Sequence, residues 1–290
     1  MRWKARGSTA TLPLHAIADR LTPTMRRQFL EAIALAKGRI DIRALASAFD
    51  SRSYVRVAQV LEQANLAQDL GPILRTVDRV FSAATAYTAT ELSSALGVPY
   101  SFDLTNPRAV AFLERYHLRL IREIDQGTRE GIRQILLDSF NDGVPPLKAA
   151  RRIREIIGLT ERQSAAVATY ERDLLADGMG KRAATAKADK YAAQLLKVRS
   201  EAIARTETIR SAAEGQQAAW QDAANRGVLD RENTLRVWIT SPDDRLCDLC
   251  EPMEGQEVGL DEPFTVGDGS TVMTPPAHVQ CRCSTGISRA

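Results

Sequence analysis

CDLCEPMEGQ at positions 247–256 and PPAHVQCRC at positions 275–283 contain all four cysteines of the chain and one of its three histidines. A C-x-x-C pair lets two thiolates reach one ion from a single tight turn, and a tetrahedral ion takes its other two ligands from elsewhere. The second stretch offers three candidates for those two places. The candidate ligands are Cys247, Cys250, His278, Cys281 and Cys283. We therefore expect a metal site in which either Cys281 or Cys283 is the spare thiol.

This cluster decides how the end of the chain folds, because a unit of about fifty residues has too little apolar core to be stable without a metal or a crosslink. We expect a zinc ion with a structural role. The N-terminal stretch MRWKARGSTATLPLHA lacks the apolar segment of a secretory signal, and no apolar run approaches the length of a membrane span. Thiols stay reduced in a cytoplasm, which favours a metal; disulfides and free thiols remain the alternatives.

The chain before this unit is predicted to be helical. Aromatic residues make up only 6% of the chain, and leucine, isoleucine and valine recur at helical intervals among many alanines. We predict a helix with a Thr-Pro start in TPTMRRQFLEAIALAKG (22–38). Thr160 with Gln163 predicts a capping box at the start of another helix. A long helix is expected from about Lys181 to Asn225. His15 is expected to be an ordinary residue near a helix start.

The pattern changes near residue 230. In VWIT (237–240) aliphatic residues alternate with Trp238 and Thr240, as in a strand. EPFTVGDGSTVMTPP (262–276) predicts a hairpin, with its Gly-Asp-Gly sequence in the turn. Strands are therefore expected only in the last part of the chain.

These patterns predict a mainly α fold, in which an extended multi-helix body carries a small C-terminal α+β unit stapled by zinc. We divide the chain into a helical N-terminal region (1–100), a helical core (101–235) and a small zinc-binding unit (236–290). The N-terminal region contains no recognisable catalytic grouping.

Charge is distributed unevenly along the chain. The whole chain carries +3, whereas residues 236–290 contain four arginines, no lysine and nine acidic residues, a net charge of −5. The rest therefore carries +8, of which +5 lies between Arg151 and Arg210. A basic body is compatible with DNA or an acidic protein surface, although solvated helix faces are the simpler explanation. The acidic zinc unit argues against a zinc module that contacts DNA.

A catalytic metal centre needs an open coordination position and a base beside it. His278 is the only histidine of the unit and is expected to be a ligand, so no imidazole remains as a base. Carboxylates near the first cysteine pair are more simply explained as a solvated face; they are Asp243, Asp244, Asp248, Glu251 and Glu254. The chain has neither a P-loop nor a serine nucleophile elbow. We expect no enzyme; a metal-dependent nuclease is the alternative.

Three stretches together resemble the phage Mu F-like head morphogenesis family, the minor head proteins of tailed phages. They are IARTETIRSAAEGQQAAW (203–220), VWITSPDDRLCDLCEPMEGQ (237–256) and PPAHVQCRC (275–283). The family pattern is Ala-Arg-Thr-Glu on a helix, a strand with a tryptophan, an aspartate before C-x-x-C, and Pro-Pro-x-His-x-x-Cys-Arg-Cys. In this chain the tryptophan is Trp238 and the aspartate is Asp243 or Asp244. The resemblance covers about residues 101–284.

The resemblance implies a virion or procapsid component, found in the host cytoplasm during assembly and in the phage head afterwards. It implies a protein that assists head assembly through contacts with the portal protein and the major capsid protein. Packaged DNA is a further candidate partner, contacted without sequence preference and in a salt-sensitive way. No membrane is implied.

Arg205 and Glu207 belong to the helical part of the motif. Being two positions apart on a helix, they do not face each other. We expect them to dock the C-terminal unit onto this helix by pairing with its charges, and Trp238 is expected to be a further docking or structural residue. Plain surface charges are the alternative for the two helical residues.

Overall fold

The computed structural model of the protein describes residues 13–51, 53–105, 107–141, 144–241 and 246–289. Helices make up most of this part of the chain, which confirms the predicted mainly α fold. They are α1 (Pro13–Arg39), α2 (Ile42–Asp50), α3 (Tyr54–Glu62), α4 (Leu66–Asp69), α5 (Gly71–Leu96), α6 (Pro107–Asn141), α7 (Pro146–Ile156), α8 (Glu161–Ala176) and α9 (Lys181–Asn225).

Within the described residues, strands occur only in the C-terminal part, as predicted. They are β1 (Thr234–Ile239), β2 (Glu257–Gly259), β3 (Phe264–Thr265), β4 (Thr271–Val272) and β5 (Ser284–Arg289). An antiparallel sheet has the order β2-β1-β5, and β3 pairs with β4 in a separate hairpin. The turn of this hairpin contains Gly269 at φ +83°, where a side chain would be strained. The predicted hairpin is therefore confirmed.

Contacts between Cα atoms divide the chain into two compact units. The first consists of Met1–Met25, Leu74–Leu113 and Ala202–Ala290, and the second consists of Arg26–Ile73 and Glu114–Glu201. The predicted division at residues 100 and 235 stays a prediction. The cysteine stretches and the C-terminal strands all belong to the first unit.

The core of the first unit packs the end of α5 against the second half of α9. Tyr100 donates its hydroxyl to the carbonyl of Ala219 at 2.8 Å and to the carboxylate of Asp222 at 2.9 Å. A Cβ on Gly215 would lie 2.7 Å from the carbonyl oxygen of Phe81, so only glycine permits this approach of α9 to α5. This close contact fixes the part of α9 on which the C-terminal unit rests.

The second unit is held together by buried polar contacts as well as by apolar packing. The buried guanidinium of Arg199 donates to the carbonyl of Gly158 at 2.6 Å. The carboxylate of Glu171 is 2% exposed, forms ion pairs with Arg152 and Lys148, and accepts a hydrogen bond from Thr185 at 2.7 Å. The side chains of α7, α8 and α9 are thereby joined.

Three local predictions have definite outcomes. The capping box of Thr160 and Gln163 is present, and the long helix spans Lys181–Asn225 as expected. The predicted start of a helix at Thr22 and Pro23 is wrong, because α1 begins at Pro13 and contains Pro23 in its interior. Buried Leu14, Ala18, Met25 and Phe29 form a continuous apolar stripe across the proline. Packing of this stripe outweighs the backbone hydrogen bond that a proline removes.

Candidate metal centre

The first cysteine pair is presented by a tight turn. The amide N–H groups of Cys250 and Glu251 both donate to the carbonyl of Cys247 at 2.9 Å, and a short 3₁₀ helix (Glu251–Met253) follows. Gly255 has φ +70°, and its N–H donates to the carbonyl of Trp238 on β1. The glycine therefore returns the chain to β1 immediately after the turn. The two thiols are thereby held close to the end of β1.

The second stretch forms another turn, which ends in a strand. The N–H of Cys281 donates to the carbonyl of His278 at 3.1 Å, so these two side chains come from one turn. Cys283 lies just before β5, whose pairing with β1 places Thr285 opposite Trp238. The sheet brings the two stretches together because β1 leads into the first and β5 leads out of the second.

The five predicted ligands lie together. Among the described residues, their ligand atoms form two overlapping groups, within each of which all atoms lie within 4.8 Å of one another. One group is Cys247, Cys250 and His278; the other is Cys250, Cys281 and Cys283. The two groups share Cys250, so the cluster is continuous and could hold a metal ion.

The distances within the cluster suit a small tetrahedral ion. The Nε2 atom of His278 lies 3.0 Å from the sulfur of Cys247 and 3.2 Å from that of Cys250. The sulfur of Cys250 lies 3.8 Å from that of Cys281. With metal–sulfur bonds of about 2.3 Å and metal–nitrogen bonds of about 2.0 Å, tetrahedral ligands are roughly 3.8 Å apart for two sulfurs and roughly 3.5 Å apart for sulfur and nitrogen. The residues present therefore fit zinc in donor type, and the contacts of Cys250 with His278 and with Cys281 have about the spacing that zinc requires.

The imidazole of His278 is oriented for coordination through Nε2. Its Nδ1 atom lies 2.9 Å from the carbonyl oxygen of Val279, an acceptor that requires Nδ1 to carry the proton. The lone pair of Nε2 then faces the thiols of Cys247 and Cys250. A backbone carbonyl that fixes the tautomer in this way is the usual companion of a metal-binding histidine.

The thiols differ in their electrostatic surroundings. A hydrogen bond from the thiol of Cys283, assisted by the amide N–H groups of Cys283 and Ala277, lowers the pKa of Cys281 to about 5. Burial, and then the charge on Cys281, raise the pKa of Cys250 to about 12. The hydrogen bond to Cys281, followed by burial, raises the pKa of Cys283. A divalent cation would favour ionisation of the thiols whose pKa these surroundings raise.

An apolar shell surrounds the sulfur atoms. Trp238 is fully buried and meets Phe264 edge to face, with 5.1 Å between the ring centroids. Its Nε1 atom is buried and forms no hydrogen bond of standard geometry within the described part of the chain. Cys250, Cys281 and Cys283 pack in the same cluster. Trp238 therefore lies beside the thiols, and its role as a structural residue stays a prediction.

Arg236 is a buried residue that the sequence did not reveal. Its guanidinium is fully buried and donates to the carbonyls of Met273 and Glu262 and, at 3.2 Å, to the side chain of Gln217. It also lies over the ring of Phe264, 4.8 Å from the centroid. Burial lowers its pKa to about 10, so it stays charged at neutral pH. The only sequence signal was its position two residues before Trp238, on the same face of β1.

The Ala-Arg-Thr-Glu motif lies where α9 contacts the second turn, which carries His278 and Cys281. Thr206 accepts a hydrogen bond from the N–H of Gln280 at 3.0 Å. Glu207 is buried and forms an ion pair with Arg210 at 3.2 Å, and the buried Nε of Arg205 has no hydrogen-bond partner among the described residues. The docking role predicted for Arg205 and Glu207 stays a prediction, and the residue between them makes the contact.

Further polar side chains of α9 contact the C-terminal part of the chain. Glu214 accepts from Thr274 at 2.9 Å, and Gln217 donates to the carbonyl of Leu260 at 2.8 Å. From the other side, His15 of α1 has its Nε2 atom 3.2 Å from the carbonyl oxygen of Cys283. His15 therefore does more than occupy a helix start, because it contacts the backbone of the cluster.

Carboxylates take no part in the two ligand groups found among the described residues. Glu254 accepts hydrogen bonds from the N–H and hydroxyl of Thr240, which caps the end of β1. Asp248 and Glu251 are exposed. Asp243 and Asp244, one of which matches the family's aspartate, lie outside the described residues.

A family comparison identifies the chain. The model of the family described as "Phage Mu protein F like protein" matches residues 130–286, which is more than half of the chain. The chain belongs to the phage Mu F-like family. The resemblance stated from the sequence is thereby confirmed, and the matched range of this Mu F-like protein includes the whole metal cluster. No curated protein and no solved structure matches the chain. In the described part of this Mu F-like protein, no helix is both long and apolar enough to cross a membrane.

Proposed function

We propose that this Mu F-like protein is a structural minor head protein of a tailed bacteriophage that assists head assembly. Its partners are the portal protein, the major capsid protein or both, and its place is the procapsid and then the phage head. Family membership supports the assignment to head morphogenesis. The proposed role is not enzymatic.

The observation that carries the structural role is the position of the cluster in the fold. His278 comes from the second turn and approaches the two cysteines of the first turn within 3.2 Å. A metal bound there joins the beginning and the end of a unit whose strands are only two to six residues long. Such short strands bury little apolar surface, so a metal supplies the missing folding free energy.

We further propose that the metal is zinc. Three thiolates and one imidazole match the ligand preferences of zinc, and a set of four protein ligands leaves no open position for a reacting water. His278 is committed through both nitrogens, one facing the thiols and one facing the carbonyl of Val279, so it is not free to act as a base. These features support a structural rather than a hydrolytic centre.

The basic helical body offers a second kind of contact. Residues 1–235 carry a net charge of +8, whereas residues 236–290 carry −5. A non-specific contact between the body and packaged DNA would be weakened steeply by salt. The acidic C-terminal unit would face a basic protein surface instead.

Three measurements test the structural assignment. Purified virions and procapsids of the phage that encodes the chain should contain it, and particles made without it should be defective in head assembly. Absence of the chain from both kinds of particle would contradict the proposal. Incubation of the purified protein with DNA and Mg²⁺, Mn²⁺ or Zn²⁺ should leave the DNA intact. Cleavage that disappears in a folded His278→Ala variant would establish the nuclease alternative.

A further inference from the structure

Val279 is an aliphatic residue in the second turn, and its side chain is 67% exposed. Among the large hydrophobic side chains in the described part of the chain, this is the largest exposed fraction. Leu246, which directly precedes the first turn, is 37% exposed. The residues next to them in sequence, His278 and Cys247, approach each other within 3.0 Å. The two adjoining turns therefore expose two aliphatic side chains beside a single point of contact.

The backbone around Val279 is held in place. Val279 and Gln280 are the central residues of the turn that the hydrogen bond from Cys281 to His278 closes. The carbonyl oxygen of Val279 lies 2.9 Å from Nδ1 of His278, and the N–H of Gln280 donates to Thr206 of α9 at 3.0 Å. Gln280 has φ +63°, in the left-handed region that glycine adopts without strain and glutamine does not. Such strain persists only where surrounding contacts impose it, and it is concentrated at functional positions.

The surroundings of the two aliphatic side chains are acidic. Asp248 lies in the first turn and Glu251 begins the 3₁₀ helix, and both side chains are exposed. From Leu246 to Cys283 the chain carries seven acidic residues and one arginine, a net charge of −6. Interfaces combine apolar anchors at their centre with a polar rim whose charges complement those of the partner. An exposed valine within an acidic rim therefore fits an apolar pocket with a basic rim.

We propose that Val279, flanked by Leu246, is an anchor that inserts into an apolar pocket with a basic rim on another head protein, the portal protein or the major capsid protein. This inference rests on the proposed function and names the surface that makes the contact. An anchor whose backbone is fixed in advance loses little conformational entropy on binding. A metal bound by the cluster would keep the two aliphatic side chains in one arrangement, because it joins the turns beside which they lie.

The test measures binding of the purified full-length chain to the purified portal protein and, separately, to the purified major capsid protein of the same phage. The wild-type chain should bind at least one of them, and its affinity should fall as salt is added, because salt screens the acidic rim. Val279→Ala should weaken this binding about 10-fold, since it withdraws two carbon atoms from the interface. Leu246→Ala should have a smaller effect in the same direction, because less of its side chain is exposed.

Both variants should keep the metal content and the melting temperature of the wild-type chain, since the backbone carbonyl that contacts His278 is unchanged. The matched control is Val98→Ala, because Val98 is also an exposed valine of the first unit, at 48%, but lies between α5 and α6. Its binding should equal that of the wild-type chain. The double variant Asp248→Asn, Glu251→Gln should bind more weakly at low salt and respond less to added salt.

The outcomes separate this inference from the proposed function. If the wild-type chain binds a head protein and Val279→Ala binds it equally well, the inference is overturned and the proposed function stands. The same conclusion follows if Val98→Ala loses as much affinity, or if Val279→Ala instead abolishes association between copies of this chain. A wild-type chain that binds neither head protein would overturn the proposed partners, and the inference with them.

Discussion

The Nε2 atom of His278 lies 3.0 Å from the sulfur of Cys247, although 31 positions separate the two residues in the chain. The hairpin of β3 and β4 lies between them in sequence, and the antiparallel pairing of β1 with β5 brings the flanking segments together. The sheet therefore brings the ligands together, and a bound metal would in turn hold the two turns next to each other.

Removal of one ligand should release the metal and unfold the C-terminal unit. Cys247→Ala deletes a thiol of the first turn, and the remaining ligands then bind zinc much more weakly, because binding and folding of such small units are coupled. Elemental analysis should find about one zinc per chain in the wild-type protein and little in the variant, and thermal melting should show an early transition. The control Asp248→Ala, an exposed neighbour in the same turn, should keep both metal and melting behaviour. A metal-free wild-type protein with an ordered C-terminal unit would contradict this expectation.

Replacement of Arg236 should destabilise the first unit. Arg236→Ala leaves the carbonyls of Met273 and Glu262 without their charged donor and opens a cavity against Phe264. We expect a loss of about 3–5 kcal/mol in the free energy of unfolding, because hydrogen bonds from a charged group are each worth roughly 1.5–3 kcal/mol and the deleted side chain is itself fully buried. Arg236→Lys should recover little, since an ammonium cannot reach several acceptors in a fork.

The matched control is Arg231→Ala, which removes an exposed ion pair with Asp261. Exposed pairs contribute about 0–1 kcal/mol, so denaturant unfolding should barely change. Equal losses for the two arginine variants would show that the buried guanidinium has no special role.

Gly267 should be required for the position of the first cysteine turn. A Cβ at this position would lie 2.8 Å from the carbonyl oxygen of Asp248 and 3.0 Å from that of Leu249, and both are backbone atoms that cannot rotate away. Gly267→Ala should therefore displace the turn, lower the melting temperature and weaken zinc binding in a chelator competition. Gly38→Ala is the control, because nothing lies within 4 Å of its Cβ and alanine favours a helix. Unchanged zinc affinity in Gly267→Ala would show that the turn tolerates displacement.

The buried carboxylate of Glu171 should make the second unit sensitive to acid. Burial raises the pKa of Glu171, but the hydroxyl of Thr185 and the guanidinium of Arg152 more than offset this and hold the pKa below its usual value. The stabilisation is then fully present above the pKa of a carboxyl in the unfolded chain and is lost as the pH falls through the lower folded pKa.

Glu171→Gln should remove that pH-dependent part and cost about 3 kcal/mol at neutral pH, because Arg152 loses its buried partner. Urea unfolding at neutral pH and at pH 3–4 measures both effects. The exposed neighbour Asp173 provides the control through Asp173→Asn, which should change neither. An unchanged acid response in Glu171→Gln would refute this explanation.

The local features of the chain were predictable from neighbouring residues alone. The capping box of Thr160 and Gln163 and the length of α9 depend on interactions within a few positions, and both are present. The extent of α1 was not predictable in this way, because Pro23 is a strong local signal for a helix start. The buried stripe on both sides of Pro23 overrides that signal, and a stripe acts only through its packing partners.

The candidate site likewise has features that the sequence predicts and features that depend on the tertiary structure. Residue type and spacing named the five candidate ligands and the family, because a C-x-x-C pair and a His-x-x-Cys-x-Cys ending carry their chemistry in short segments. The 3.8 Å distance between the sulfurs of Cys250 and Cys281 exists only because the pairing of β1 with β5 brings the two turns together.

The sequence by itself therefore determined a mainly helical chain of the Mu F-like family with a cysteine and histidine cluster near its end. Only the tertiary structure decided that Arg236 is a buried cation, that Thr206 contacts the turn of His278 and Cys281, and that Trp238 lies beside the thiols. The physical reason is that burial and hydrogen bonding between distant segments depend on the pairing of β1 with β5 and on the packing of α9, which no local pattern of residues encodes.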